Sequence, residues 1–230
     1  MSNPLSKYLK GFLNNASKAQ ETSPAQTAEG PRRDYLHVCV VLDASGSMSS
    51  VENDVKGTFD AFVAEQSQKP GKTVLDVYQF SNATERIVRA ADLATFENNL
   101  MRDYRCNGMT ALNDAVCQAI DELGAEFAAM PPAERPGDVV VAILTDGEEN
   151  ASQRFTNADV KERVKRQTEV YDWSFLYLAA DIDAFATGAR LGLSTEDCAA
   201  FSRSPEGLRY ACEAVSTRLQ SRRELRVRED

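Results

Sequence analysis

Two hydrophobic rhythms alternate along this chain. Tyr35–Leu42 and Asp138–Leu144 are nearly unbroken apolar runs, the pattern of strands buried on both faces. Val51, Val55, Phe59, Phe62 and Val63 recur instead at helical spacing, as do Leu112, Ala115, Val116, Ala119, Ile120, Leu123 and Phe127. Pro70-Gly71 and Pro131-Pro132 punctuate these segments. Thr73–Phe80 reads as a strand through Val74, Val77 and Phe80. Glu85–Arg89 reads as a second short strand, expected to run antiparallel because only a few residues separate the two. Further along, Asn157–Tyr171 predicts a helix with Val160, Val164 and Val170 inward, and Trp173–Ala179 a strand. Ile182–Leu191 predicts a short helix closed by Gly192, Cys198–Ser202 a last short strand, and Pro205–Arg223 a final helix on Leu208, Ala211, Cys212, Val215 and Leu219. Strands alternating with helices predict an α/β domain, a parallel sheet covered on both faces.

That domain is expected over 35–217. Residues 1–13 read as a short amphipathic helix, started by Asn3 and Pro4 and striped by Leu5, Tyr8, Leu9, Phe12 and Leu13. Residues 14–34 are polar, without periodicity, and read as a flexible linker. Residues 218–230 read as a basic tail. Composition agrees with a packed core: of 230 residues, 43% are hydrophobic. The formal charge is -9; each end carries a net +2, so the 35–217 body carries -13. An acidic body argues against nucleic acid as a partner. No apolar run is long enough to span a membrane, and the N-terminus lacks a signal-peptide core. The five cysteines are odd in number and form no CxxC pair, which favours a reducing, cytoplasmic compartment.

The candidate chemistry lies at strand ends. Asp43 follows the first apolar run, Asp146 follows DVVVAIL after one residue, and Thr110 stands just before a helix. Ligands of an open α/β sheet bind beyond the carboxyl ends of its strands, so these residues are expected at one edge. Asp43, Ser45 and Ser47 alternate, and an extended loop would turn all three the same way. Three hydroxyls and two carboxylates are hard oxygen ligands suited to Mg²⁺, with Mn²⁺ or Ca²⁺ also acceptable. Two carboxylates about 5 Å apart repel by roughly 3 kcal/mol at an effective dielectric near 20, and a divalent cation removes that repulsion.

Asp-x-Ser-x-Ser after a buried strand, Gly-x-Thr before a helix and Thr-Asp-Gly after a later strand together resemble the von Willebrand factor A (vWA) domain with its metal-ion-dependent adhesion site. LTDGEENAS and DAFATGARLG are similar to intracellular bacterial and phage members. The resemblance implies a Rossmann-like three-layer α/β/α sandwich, mostly parallel with one antiparallel edge strand. It implies Ser45, Ser47 and Thr110 as direct metal ligands, Asp43 and Asp146 acting mostly through water, and a protein partner whose Asp or Glu completes the metal.

Other residues read more plainly. Glu148 and Glu149 suit a solvated loop, with ligation or partner contact as the alternative. Met48 and Met109 suit packing or an apolar rim. His37, the single histidine, reads as a satisfied strand residue, and Cys106 as a loop cysteine. With no histidine near the motifs and no nucleophile–base pair, the chain is expected to bind rather than catalyse. Two other readings stay open. One is an adaptor of a larger assembly, for example with an AAA+ ATPase, binding through its N-terminal arm. The other is a Mg²⁺-dependent hydrolase working from Asp43.

Overall fold

The computed structural model describes residues 30–95, 100–180 and 183–228. Six strands cross it: Arg32–Asp43 (β1), Lys72–Phe80 (β2), Thr84–Asp92 (β3), Pro136–Thr145 (β4), Ser174–Ala180 (β5) and Cys198–Phe201 (β6). Five α-helices join them: Glu52–Gln66 (α1), Leu112–Ala129 (α2), Asn157–Tyr171 (α3), Ala184–Arg190 (α4) and Pro205–Arg228 (α5). The strands pair in the order β3-β2-β1-β4-β5-β6. Every pair is parallel except β2 with β3. The result is a Rossmann-like three-layer α/β/α sandwich with one antiparallel edge strand. The stripe expected over 3–13 and most of the 14–34 segment lie outside the described residues.

Burial on both faces explains the unbroken apolar runs. Val38, Val40 and Leu42 of β1 and Val140, Ala142 and Leu144 of β4 face α1 and α5, against Val55, Phe59, Phe62, Leu208, Val215 and Leu219. Their alternate neighbours Cys39, Val41, Val141 and Ile143 face the helices on the other side, against Leu112, Val116, Ile120, Val160, Val164 and Ala184. Each fully buried aliphatic side chain is worth about 2 kcal/mol of transfer free energy, so a strand carrying them on both faces has its register strongly specified.

Element ends follow local chemistry. Thr156 and Asp159 form a capping box at the start of α3, and Asp172 ends it in the left-handed conformation at φ 56°. One expectation on this helix fails: Val170 is 65% exposed. Val164 and Val170 are six positions apart, which turns the second away from the buried stripe. The sheet begins earlier than expected, at Arg32, because the Arg32 amide bonds the Arg135 carbonyl at 2.9 Å. The basic stretch from 218, read as a tail, continues α5 to Arg228. Arg218, Arg222 and Arg226 fall at four-residue spacing. Arg222 and Arg226 both pair with buried Asp138 at 2.7 Å through Nε, and Arg218 pairs with Asp197 at 2.9 Å. All five cysteines are free thiols. Among the described residues no helix is long and apolar enough to cross a membrane.

The sheet's two margins differ from its centre. β6 is four residues long. β3 breaks register twice against β2, and Ala90 near its end takes φ 46°. The Ala90 amide there donates to Asp76 Oδ1 at 2.9 Å. Asp76 anchors a buried polar chain: its Oδ2 contacts His37 Nε2 at 2.7 Å, its Oδ1 accepts from Arg86 Nε at 2.5 Å, and Arg86 forks onto Glu126 at 2.6 and 2.9 Å. His37 Nδ1 meets the Tyr35 hydroxyl at 3.1 Å, so both ring nitrogens are satisfied.

Burial pushes the Asp76 carboxyl up, but bonds from His37 and Arg86 outweigh it and hold it below the usual 3.8. A depressed carboxyl contributes stability that is present above its unfolded value and lost as pH falls through the folded one. Asp76→Asn is therefore expected to lower the urea midpoint near neutral pH, with the deficit shrinking as pH drops below 3.8. Urea titrations of both proteins across that range check it.

Candidate metal centre

Asp43 ends β1, and Thr145 ends the neighbouring β4, so Asp43 and Asp146 leave adjacent parallel strands at their carboxyl ends. The sheet reverses its winding between these strands, since β2 lies to one side and β5 to the other. That is where an open α/β sheet leaves a crevice for a ligand.

A continuous set of short contacts joins four of the five sequence-predicted residues. The Ser45 amide donates to Asp43 Oδ1 at 2.7 Å, and the Ser45 and Ser47 hydroxyls lie 2.9 Å apart. Ser47 Oγ donates to Asp146 Oδ1 at 2.7 Å. Asp43 Oδ2 accepts from Thr145 Oγ1 at 2.6 Å. Asp43, Ser45 and Asp146 are buried; Ser47 is exposed. Burial pushes the Asp43 carboxyl above the ordinary aspartate range; bonds from Thr145 and Ser45 oppose this, and the Asp146 charge adds to it.

Thr110, the fifth, approaches from the loop ahead of α2. A Cβ on Gly147 would lie 3.2 Å from its Oγ1, so glycine beside Asp146 leaves that hydroxyl unobstructed. Thr110 is buried, its amide bonds Asn150 Oδ1 at 2.9 Å, and its hydroxyl makes no hydrogen bond among the described residues. Ser45 similarly precedes the 3₁₀ turn Gly46–Val51 without capping it through its side chain. Serine and threonine before a helix ordinarily spend their oxygens on its free amides. Here the cap of α2 comes from elsewhere. Glu149 Oε2 accepts from the Asn113 amide at 2.8 Å, and Ser152 Oγ accepts from the Asp114 amide at 3.0 Å. Asp114 returns the favour to the loop, accepting from the amides of Gln153, Arg154 and Phe155 at 2.9–3.0 Å. Partial burial pushes the Asp114 carboxyl up, but these amides outweigh it and hold it below the usual range.

These donors suit a small hard cation. Octahedral Mg²⁺ with oxygens at 2.0–2.1 Å sets neighbouring ligands about 2.9 Å apart, the Ser45–Ser47 separation seen here. The unbonded Thr110 hydroxyl would offer such an ion a third neutral oxygen, and the two carboxylates would offer the charge. Among the described residues no group of three or more His, Cys, Asp or Glu side chains could hold a metal.

Several residues in and around the site carry no such signal in the sequence. Tyr104, fully buried, donates its hydroxyl to the Asp43 carbonyl at 2.6 Å. Arg203, after β6, reaches Asp146 Oδ2 at 2.8 Å. The amides of Asn107 and Gly46 fasten the Thr110 loop to the Asp43 loop, bonding the carbonyls of Ala44 at 2.7 Å and Gly108 at 3.0 Å. Gly108 takes φ 69°, which suits glycine. Met48 is core, whereas Met109 is 53% exposed beside Thr110. Cys106 packs against the core and donates its amide to Glu52 at 3.1 Å. Glu148 is exposed, but Glu149 is a cap, not a solvated charge.

Glu149 accepts four bonds at 2.7–2.9 Å, from the amides of Asn113, Ala151 and Ser152 and from the Ser152 hydroxyl. Glu149→Ala is expected to cost about 2 kcal/mol and to speed amide exchange at Asn113, Ala151 and Ser152. Urea unfolding and hydrogen-exchange mass spectrometry check the two effects.

No curated protein sequence matches the chain. Solved structures do. A D319A mutant of the PilB minor pilin from Streptococcus sanguinis superposes with TM-score 0.59 at 10% identity, over 91% of this chain and 65% of the pilin. Proximal thread matrix protein 1 from the mussel byssus, with a zinc-occupied MIDAS motif, superposes with TM-score 0.56 at 14% identity, over 81% of this chain and 48% of that one. A von Willebrand factor type A protein from Catenulispora acidiphila gives TM-score 0.50 at 15% identity, over 86% and 42%. The chain thus spans less than two thirds of each of these proteins, and at such identities the likeness is one of fold. The von Willebrand factor type A domain model matches residues 37–214, most of the sequence, and this chain belongs to that family.

Proposed function

We propose that this chain is a metal-dependent protein-interaction module. Ser45, Ser47 and Thr110 hold a divalent cation directly, and Asp43 and Asp146 order its water. An Asp or Glu of a partner protein completes the shell. One observation carries the reading: the hydroxyls of Ser45 and Thr110, neither of them used to cap the helix that follows, and that of Ser47 stand at one strand edge with two buried carboxylates. The zinc in the MIDAS motif of the mussel protein supports a divalent ion in this fold. Hydroxyl and carboxylate oxygens favour Mg²⁺, and Mn²⁺ and Ca²⁺ also suit them.

We read the site as binding, not catalytic. The chain's one histidine, His37, is tied to Tyr35 and Asp76 inside the sheet. Burial pushes the Cys106 thiol up to about 11, which suits packing better than attack. Five free thiols support a reducing compartment such as the cytoplasm.

A cation bound only by the folded state stabilises it by about 2.7 kcal/mol at a hundred times its dissociation constant. Saturating Mg²⁺ is therefore expected to raise the melting temperature of the wild-type chain, and Ser45→Ala and Thr110→Ala to lose the shift. Melts with Mg²⁺ and with chelator test this. A wild-type curve indifferent to the cation would overturn the reading.

A further inference from the structure

Arg135 and Trp173 stand just before β4 and β5, at the amino-terminal ends of those parallel strands. They therefore lie on the rim opposite Asp43 and Asp146. With the second half of α2 and the end of α3 they line a cleft of about 350 Å³, at the small end of ligand pockets. Its apolar walls are Ile120, Phe127, Tyr171 and Trp173. The Phe127 and Trp173 rings meet edge to face, with centroids 5.8 Å apart. Gly124 of α2 lines it too. Glycine inside a helix is destabilising relative to alanine. A Cβ here would meet only Gln167 Nε2, at 3.5 Å, an ordinary contact. Packing does not demand glycine at this position, and its effect is to keep the cleft open on the α2 side.

The charged groups of the lining are Asp121, Arg135 and Arg166. Asp121 is answered by Arg163 through two bonds at 2.9 Å. Arg135 donates through Nε and Nη2 to the carbonyls of Met130 and Ala128, at 3.0 and 3.1 Å. Those acceptors are neutral, and among the described residues no carboxylate pairs with Arg135. Arg166 is exposed and makes no hydrogen bond or ion pair among the described residues. A chain of formal charge -9 thus presents two arginines without carboxylate partners at an aromatic cleft. Apolar walls with a few convergent polar groups are the composition of small-molecule sites. We propose that this cleft binds a small carboxylic acid with an aromatic body, its ring against Phe127 and Trp173 and its carboxylate on Arg166 and Arg135. The inference is independent of the metal reading, because it uses none of the same residues.

Trp173 is the single tryptophan, so its emission reports on the cleft directly. Phenylacetate titrated into the full chain is expected to change that emission saturably. Phenylacetamide has the ring without the charge, and acetate the charge without the ring; each should bind at least about tenfold more weakly. Arg166→Gln, at an exposed residue, should fold as wild type and bind phenylacetate on the order of tenfold more weakly. Arg135→Gln should shift affinity in the same direction. Gly124→Leu should fill the cleft and abolish the response without lowering the melting temperature. An emission indifferent to phenylacetate, an amide that binds as tightly as the acid, or an Arg166→Gln chain that binds like wild type overturns the inference. A response to the peptide acetyl-Leu-Phe-Asp-Leu-amide with none to phenylacetate would give the cleft to a partner protein, and overturns it as well.

Discussion

Two carboxylates stand at the tips of adjacent parallel strands, in a region where water reaches them poorly. Asp43 is wholly buried and its carboxyl is pushed upward by that burial, with Asp146 adding to the push. Much of what surrounds them answers this single electrostatic problem. Thr145 and the Ser45 amide bond Asp43, and Ser47 and Arg203 bond Asp146. Adjacent central strands of a doubly covered sheet can present such groups rigidly, because their register is locked by apolar contacts on both faces.

The Thr110 hydroxyl is spared by an exchange between the segment after β4 and the start of α2. The segment after β4 caps α2 through Glu149 and Ser152, and α2 in turn ties that segment down through Asp114. Thr110 stands where a cap would be sought, but with the helix already served its oxygen stays uncommitted. The arrangement is local preorganisation: the donors are placed before any ligand arrives, so ordering them costs little at the moment of binding.

Much of the fold was legible because burial on both faces leaves a run without polar gaps, as in Val139–Leu144, and helix stripes leave spacings of three and four, as in Leu112–Phe127. The candidate site was legible where it sits on strand ends: Asp43 follows an apolar run directly, and Asp146 follows one after Thr145. What escaped depends on long-range geometry. Nothing around Tyr104 or Arg203 announces a bond to a residue 61 or 57 positions away. Glu149 looks like a solvated charge until the amide of Asn113 is set beside it. Val170 shows the opposite error, an apolar residue credited to a face that its spacing of six does not reach. The arginines at 218, 222 and 226 did carry a helical period, but their acidic partners lie elsewhere in the chain, and a run of charge alone reads as a tail.

The margins of the sheet have a consequence for how the domain meets other chains. A flat, long outer strand offers a row of open amides and carbonyls on which any extended segment can lay itself down. One outer strand here is only four residues long, and the other is kinked out of step with its neighbour. Such flanks make poor templates for zipping on a stranger. On the proposed reading, selectivity is then left to the tips of the strands, where particular side chains, not backbone that every protein shares, would do the recognising.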